Sequence, residues 1–195
     1  MKLTFFKSFI LTLVMVFGLV ASAGATGMYI EPKFGMTQMM GTYLDTEGIS
    51  GSSDFSTFTG MVGGVAVGYD WSQYFGLDLR TDVEYAIRTT PHFDAHGRSV
   101  EAYIPQTLMV NAYYDFKNET DFTPYVGGGV GVAFVGENSN FAWNVGGGVG
   151  YKINDDFTAS LGYRFVGLGE FEDKDRKTSG MLYSHEVMLG LRYTF

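Results

Sequence analysis

The run from Val187 to Phe195 constrains this chain more than any other segment. Val187, Leu189, Leu191, Tyr193 and Phe195 fall on one face of an extended strand. Met188, Gly190, Arg192 and Thr194 fall on the other. Side chains alternate with period two along a strand, so one face is apolar and aromatic and the other is small or charged. A water-soluble sheet buries its oily face in a core. A barrel in an outer membrane turns that face to lipid and keeps polar groups inside. An aromatic strand ending the chain fits the second case and is expected to serve as the strand read by the barrel-assembly machinery.

The same pattern recurs upstream. Alternating segments are predicted at residues 28–36, 62–71, 75–87, 103–116, 123–135, 141–153, 157–167 and 182–195. Each is close to the ten or so residues that a tilted membrane strand needs. In the third segment Phe75, Leu77, Leu79, Val83, Tyr85 and Ile87 share one face, and Asp78, Arg80, Asp82 and Glu84 the other. Connections alternate between long and tight, as expected for external loops and periplasmic turns. The short link at residues 136–140 is the exception. Pro32 interrupts the first segment, and its missing N–H predicts a bulge or a late start to pairing there.

Aromatic residues divide into two sets. Trp71, Phe75, Phe116, Phe122, Tyr151, Phe157 and Phe195 lie beside one end of the segments. Tyr85, Phe134, Phe141, Trp143, Phe165 and Tyr183 lie toward the other. Two belts of amphipathic rings match two membrane–water interfaces.

The first residues read as a targeting segment. Lys2 and Lys7 precede or flank an apolar run that ends near Val20, and Ala23 and Ala25 form an A-x-A site. A cleaved signal peptide over residues 1–25 is expected, with the mature barrel domain at 26–195; Ala21 and Ala23 offer a second register. The apolar run is shorter than the roughly 20 residues of a spanning helix. The chain contains no cysteine, which excludes disulfides and thiolate metal sites. Its net charge of −8 argues against a nucleic-acid partner.

These readings give an all-β fold: an eight-stranded antiparallel up-and-down transmembrane β-barrel in the outer membrane of a bacterium. Several stretches resemble the bacterial outer-membrane β-barrel family that includes opacity-type surface proteins and related surface antigens. They are Leu108–Phe116, Thr123–Gly131, Val145–Tyr151, Leu161–Phe165 and Ser184–Phe195. The resemblance implies a surface protein whose external loops vary and carry its role, with adhesion or immune exposure among the implied roles.

By parity the inward charges are Glu31, Lys33, Asp70, Asp78, Arg80, Asp82, Glu84, Arg88, Asp115, Lys152, Arg164, Glu186 and Arg192. A barrel of this size has an interior just wide enough for side chains. The expected lumen network is Asp78, Arg80, Asp82, Glu84, Arg164, Glu186 and Arg192, paired because buried charge requires it. The rival reading is a narrow charge-lined pore for small solutes. Inward glycines at 127, 129, 131, 146, 148 and 150 leave room that Tyr113, Arg80 or Arg164 can fill.

Other motifs carry less. The glycine runs lack the spacing and the following helix of a dinucleotide fingerprint. In Ser184-His185-Glu186 neighbouring side chains point to opposite faces, so a hydrolytic triad, such as a lipid A-modifying barrel enzyme would need, is not expected. His92, Asp94 and His96 read as a solvated loop, since Pro91 and Gly97 argue against the helix that would align them as ligands. No catalytic residue, cofactor or metal is expected. The expected partners are outer-membrane lipids and lipopolysaccharide, the barrel-assembly machinery and an unspecified extracellular ligand or host surface. The expected state is a monomer.

Overall fold

The structure is a computed structural model, and it describes residues 27–45, 55–89, 104–135, 138–173 and 178–195. The expected signal peptide and parts of all four external connections, the His92–His96 cluster among them, lie outside these residues. Eight strands form one closed antiparallel barrel in chain order. They are β1 (Met28–Asp45), β2 (Phe55–Asp70), β3 (Leu79–Thr89), β4 (Gln106–Asp115), β5 (Phe122–Val135), β6 (Asn138–Lys152), β7 (Phe157–Asp173) and β8 (Thr178–Thr194). Closure comes from β1 pairing with β8, with Tyr29 opposite Thr194 and Val187 opposite Met36. Among the described residues no helix is long and apolar enough to cross a membrane. A closed barrel crosses with strands, because every backbone donor and acceptor finds a neighbour.

The alternation read from the sequence fixes which side chains face out. Phe34, Val83, Val110, Val126, Val130, Val145, Leu161, Val187, Leu189 and Leu191 stand exposed on the outer surface. Arg80, Asp82, Glu84, Arg88, Asn111, Asp115 and Glu186 are buried within. This is the inverse of a water-soluble core. It is the arrangement that acyl chains outside and a polar interior require.

The third strand begins later than the sequence suggests. Ser72–Phe75 is a single helical turn, α1. The Ser72 N–H donates to Asp70 Oδ1 at 2.9 Å, and Gly76 at φ 62° closes the turn. Asp70 is thereby engaged in a turn at the barrel rim. Local Asp-to-backbone bonding competes with the strand ladder at such positions, and the left-handed glycine then stops the helix.

Pro32 does not produce a bulge. The register with β2 runs unbroken from Met28 opposite Tyr69 through Pro32 opposite Val65. On the β8 side the ladder skips Glu31 and Pro32 and resumes in the same register at Lys33 opposite Gly190. The missing donor therefore costs a local interruption in one ladder and no change of register. The barrel's register shift lies instead between Gly167 and Glu170 on β7, where Gly169 adopts φ 86°.

Strand lengths are asymmetric. The β3–β4 ladder ends at Ile87 opposite Gln106, and β5 and β6 meet in a tight hairpin at Val135 opposite Asn138. The sheet β2-β1-β8-β7 continues well beyond, to Thr42 opposite Phe55, Asp45 opposite Thr178 and Asp173 opposite Thr178. Much of what reads as the first and fourth external loops is therefore strand.

Candidate functional site: the barrel lumen and the external sheet

A continuous set of ion pairs threads the lumen. Arg88 Nε donates to Glu186 Oε1 at 2.5 Å, and Arg164 Nε donates to Glu186 Oε2 at 2.7 Å. Arg164 Nη1 reaches Glu84 Oε1 at 2.5 Å, and Lys33 Nζ reaches Glu84 Oε2 at 2.9 Å. Lys33 then lies 3.8 Å from both Asp82 and Glu31. Neutral donors complete the carboxylates: Tyr29 Oη and Asn111 Nδ2 donate to Asp82, and Ser160 Oγ donates to Glu31. Toward the periplasmic end Arg80 grips Asp115 through two bonds at 2.5 and 2.8 Å. These strands bring together residues from β1, β3, β4, β7 and β8, so the network braces opposite walls. Buried charges persist only with such partners.

Two expected members of the lumen network sit differently. Asp78 is a rim residue: it faces Lys117 at 3.6 Å, and both side chains are more than a third exposed. It precedes the start of β3, so the delayed strand leaves it outside the lumen. Arg192 is inside but makes no salt bridge within 4 Å among the described residues; its guanidinium lies 5.5 Å from the Tyr29 ring, and its Nη1 is buried without a hydrogen bond among them. Lys152, also read as inward, pairs at the surface with Asp155 at 2.8 Å. Glu31, Lys33, Arg88 and Asp115, the other inward charges, lie within the lumen.

The glycines of β5–β7 make room for the large inward groups. A side-chain carbon on Gly127 would collide with the Tyr113 ring, on Gly129 with the Asn111 amide, and on Gly146 with Arg164. Tyr113 and Tyr125 meet edge to face at 5.9 Å, and Arg80 lies 5.0 and 5.3 Å from their rings. Open space remains beside Lys33, Tyr113, Tyr125 and Arg164. On the external side Met39, Met109, Ala133, Ala142, Val166 and Leu168 pack as one buried apolar cluster, joined by Leu182. Sequence reading missed this layer because Met39 and Leu168 fall in stretches taken for loop, while Met109, Ala133, Ala142 and Val166 are apolar residues on the face read as polar.

Ser184 and Glu186 face the lumen, with Ser184 Oγ 3.2 Å from Glu186 Oε1 and 2.5 Å from Thr37 Oγ1. His185 faces outward, where its Nδ1 meets Tyr163 Oη at 2.6 Å. Serine and histidine are on opposite sides of the barrel wall and form no triad. Val187, Leu189, Leu191 and Phe195 are exposed on the lipid face, and Tyr193 packs between Phe157 and Phe195 at 5.0 Å from each.

At the external end, the projecting β2-β1-β8-β7 sheet has two edges without ladder partners among the described residues. The β2–β3 ladder stops at Met61 opposite Thr89, which leaves 55–60 unpaired on that side. The β6–β7 ladder stops at Trp143 opposite Gly167, which leaves the end of β7 unpaired toward β6.

Comparison with known proteins places this architecture. The family model for the outer membrane protein beta-barrel domain matches residues 9–195. The chain belongs to that family. This outer-membrane barrel is 29% identical to the outer membrane protein PagN of Salmonella typhimurium, over 98% of this chain and 99% of PagN. It is 25% identical to the 31 kDa outer-membrane immunogenic protein of Brucella melitensis, over 77% of this chain and 72% of that protein. The crystal structure of Neisserial surface protein A superposes with a TM-score of 0.60 at 21% identity, covering 88% of this chain and 99% of that one. The barrel resides in the bacterial outer membrane and is a surface protein.

Proposed function

We propose that this outer-membrane barrel is a structural surface protein that makes or shields extracellular contacts through its projecting sheet and external connections, without catalysis. One observation carries the reading: the interior is braced by paired ions beneath an apolar layer, and the exterior is extended. The lumen is occupied by paired ions and by a buried apolar cluster, so it supports the wall. Four strands continue past the point where their neighbours stop, so ordered backbone is invested where an external partner can reach it. Exposed segments held by a rigid scaffold are where binding function concentrates. The surface-protein and immunogenic descriptions of the similar proteins support exposure of this end.

The narrow-channel alternative draws support from the open space beside the glycines of β5–β7. The apolar cluster external to it opposes ion passage, because desolvating an ion there has no compensating partner.

The test exchanges the external part of the β1–β2 connection, residues 46–54, for a short Gly-Ser link. Membrane insertion and heat-modifiable gel mobility should remain those of the parent. Attachment of expressing bacteria to host-cell or matrix surfaces should fall. Unchanged attachment in this variant and in an equivalent exchange of residues 174–177 would refute the contact role.

A further inference from the structure

The outward face of the barrel wall is nearly free of ionisable groups. On the outward face of the described strands, up to the register shift at Gly167 on β7 and from Met181 onward on β8, no Asp, Glu, Lys or Arg occurs, and His185 is the one histidine. An ionisable group facing a bilayer is a functional-site hypothesis by default. Its position along β8 makes that hypothesis specific. His185 lies ten residues before Phe195, which sits at the periplasmic end. At about 3.3 Å per residue and a tilt near 40°, that is about 25 Å along the membrane normal. The apolar band of such barrels is of that height, so His185 meets the opposite interface, where the headgroups of the external leaflet lie.

The ring is held, not loose. Tyr163 Oη bonds Nδ1 at 2.6 Å, and the Phe165 ring packs at 4.9 Å. Phe165 is itself stacked on Tyr183 at 5.5 Å and meets Trp143 edge to face at 5.7 Å. In the tautomer in which the tyrosine hydroxyl donates to Nδ1, the ring proton sits on Nε2, the nitrogen not engaged by Tyr163. Gln38 lies opposite His185 in the β1–β8 register, and its side chain is exposed. The groups facing the imidazole are thus Tyr163 and Phe165 from β7 and Gln38 from β1, none of them charged. The Nε2 edge of an oriented ring and a neighbouring exposed amide stand together at headgroup depth.

We propose that His185 Nε2 and the Gln38 amide form a lipid-binding site on the β8–β1 seam. Its ligand is the phosphate of a phosphorylated glycolipid in the external leaflet, with the Tyr163 hydroxyl fixing the tautomer that donates. The aromatic row Trp143, Phe165 and Tyr183 flanks the acyl and sugar portions of the same molecule, as amphipathic rings do at an interface.

The test uses the full mature barrel in nanodiscs, with ring nitrogens of histidine labelled with 15N. Discs contain phosphatidylcholine with either bisphosphorylated lipid A or the same lipid A after phosphate removal. A third sample contains phosphatidylcholine alone with added inorganic phosphate. The expected result is a displaced Nε2 resonance of His185 with bisphosphorylated lipid A only. Displacement by inorganic phosphate equally would show a site for free anion and overturn the lipid assignment. Native mass spectrometry supplies the second readout. His185→Phe keeps the stacking and should reduce retained bisphosphorylated lipid A about tenfold or more, the scale of one hydrogen bond to a charged group. Tyr163→Phe keeps the imidazole but frees its tautomer and should give an intermediate loss. Gel mobility of the folded barrel reports that each variant has inserted. An Nε2 resonance indifferent to the lipid phosphate, or equal retention by folded His185→Phe, would overturn the proposal.

Discussion

Arg88 Nε donates to Glu186 Oε1 at 2.5 Å across 98 positions of sequence, joining β3 to β8 through the barrel interior. Glu186 also receives Arg164, so one carboxylate holds two guanidinium groups from two other strands. Each strand would present a lone buried charge without the others. The network therefore braces distant walls of the closed barrel against one another.

Replacing Glu186 by Gln keeps the shape and removes the charge. Arg164 retains Glu84, but Arg88 is left with the Thr107 hydroxyl at 3.1 Å. Breaking a buried pair from one side costs about 3–5 kcal/mol. Urea unfolding in phospholipid vesicles should show a loss of that size with the outer-membrane barrel still able to fold. A loss below about 1 kcal/mol would mean the lumen is hydrated enough to screen these charges.

The rim pair gives the opposite expectation. Asp78 and Lys117 are 3.6 Å apart and more than a third exposed. Lys117→Ala should change unfolding stability by no more than about 0.5 kcal/mol, within the range for exposed pairs. The contrast with Glu186→Gln, measured in the same vesicles, separates pairing in the lumen from pairing at its mouth.

Two glycines should respond in opposite ways to the same substitution. Gly129 faces inward, and a methyl there meets the Asn111 side-chain oxygen, which accepts from Asn144 and belongs to the amide that supports Asp82. Gly129→Ala should destabilise by about 1–3 kcal/mol through overpacking and a displaced hydrogen bond. Gly63 faces outward with nothing within 4 Å of the added carbon. Gly63→Ala should be neutral or stabilising by up to about 1 kcal/mol, since it restricts the unfolded chain. Unfolding midpoints of the two variants check this directly.

The period-two pattern carried most of this architecture in the sequence. The faces of β3 and β8 were legible because charge and oil alternate there without interruption, from Arg80 to Glu84 and from Val187 to Phe195. The lumen members Arg80, Asp82, Glu84, Arg164 and Glu186 followed from parity alone. Which of them touch did not follow, because contacts across the lumen depend on register between strands far apart in sequence. Asp78 was misplaced because a single Asp–backbone bond and one left-handed glycine converted the expected strand start into α1. The external strand extensions were obscured for another reason: past the bilayer the outward face meets water, so the oil-and-charge contrast that marks a strand fades.

The two tryptophans mark the two interfaces. Trp71 donates to Thr81 Oγ1 at 2.9 Å beside the periplasmic rim, and Trp143 is 36% exposed in the external aromatic row. In vesicles with lipids brominated at different acyl depths, single-tryptophan variants retaining either Trp71 or Trp143 should both be quenched best by bromines near the headgroups. Maximal quenching of Trp143 at the bilayer centre would contradict the placement of that row at an interface.

The central claim is that this barrel is a sealed wall whose working parts are external. Purified protein reconstituted in a planar lipid bilayer measures the seal most directly. The account predicts no steady current above the bare membrane under an applied voltage, because paired ions and the Met39–Met109–Leu168 cluster occupy the lumen. Reproducible single-channel openings of uniform conductance would contradict it.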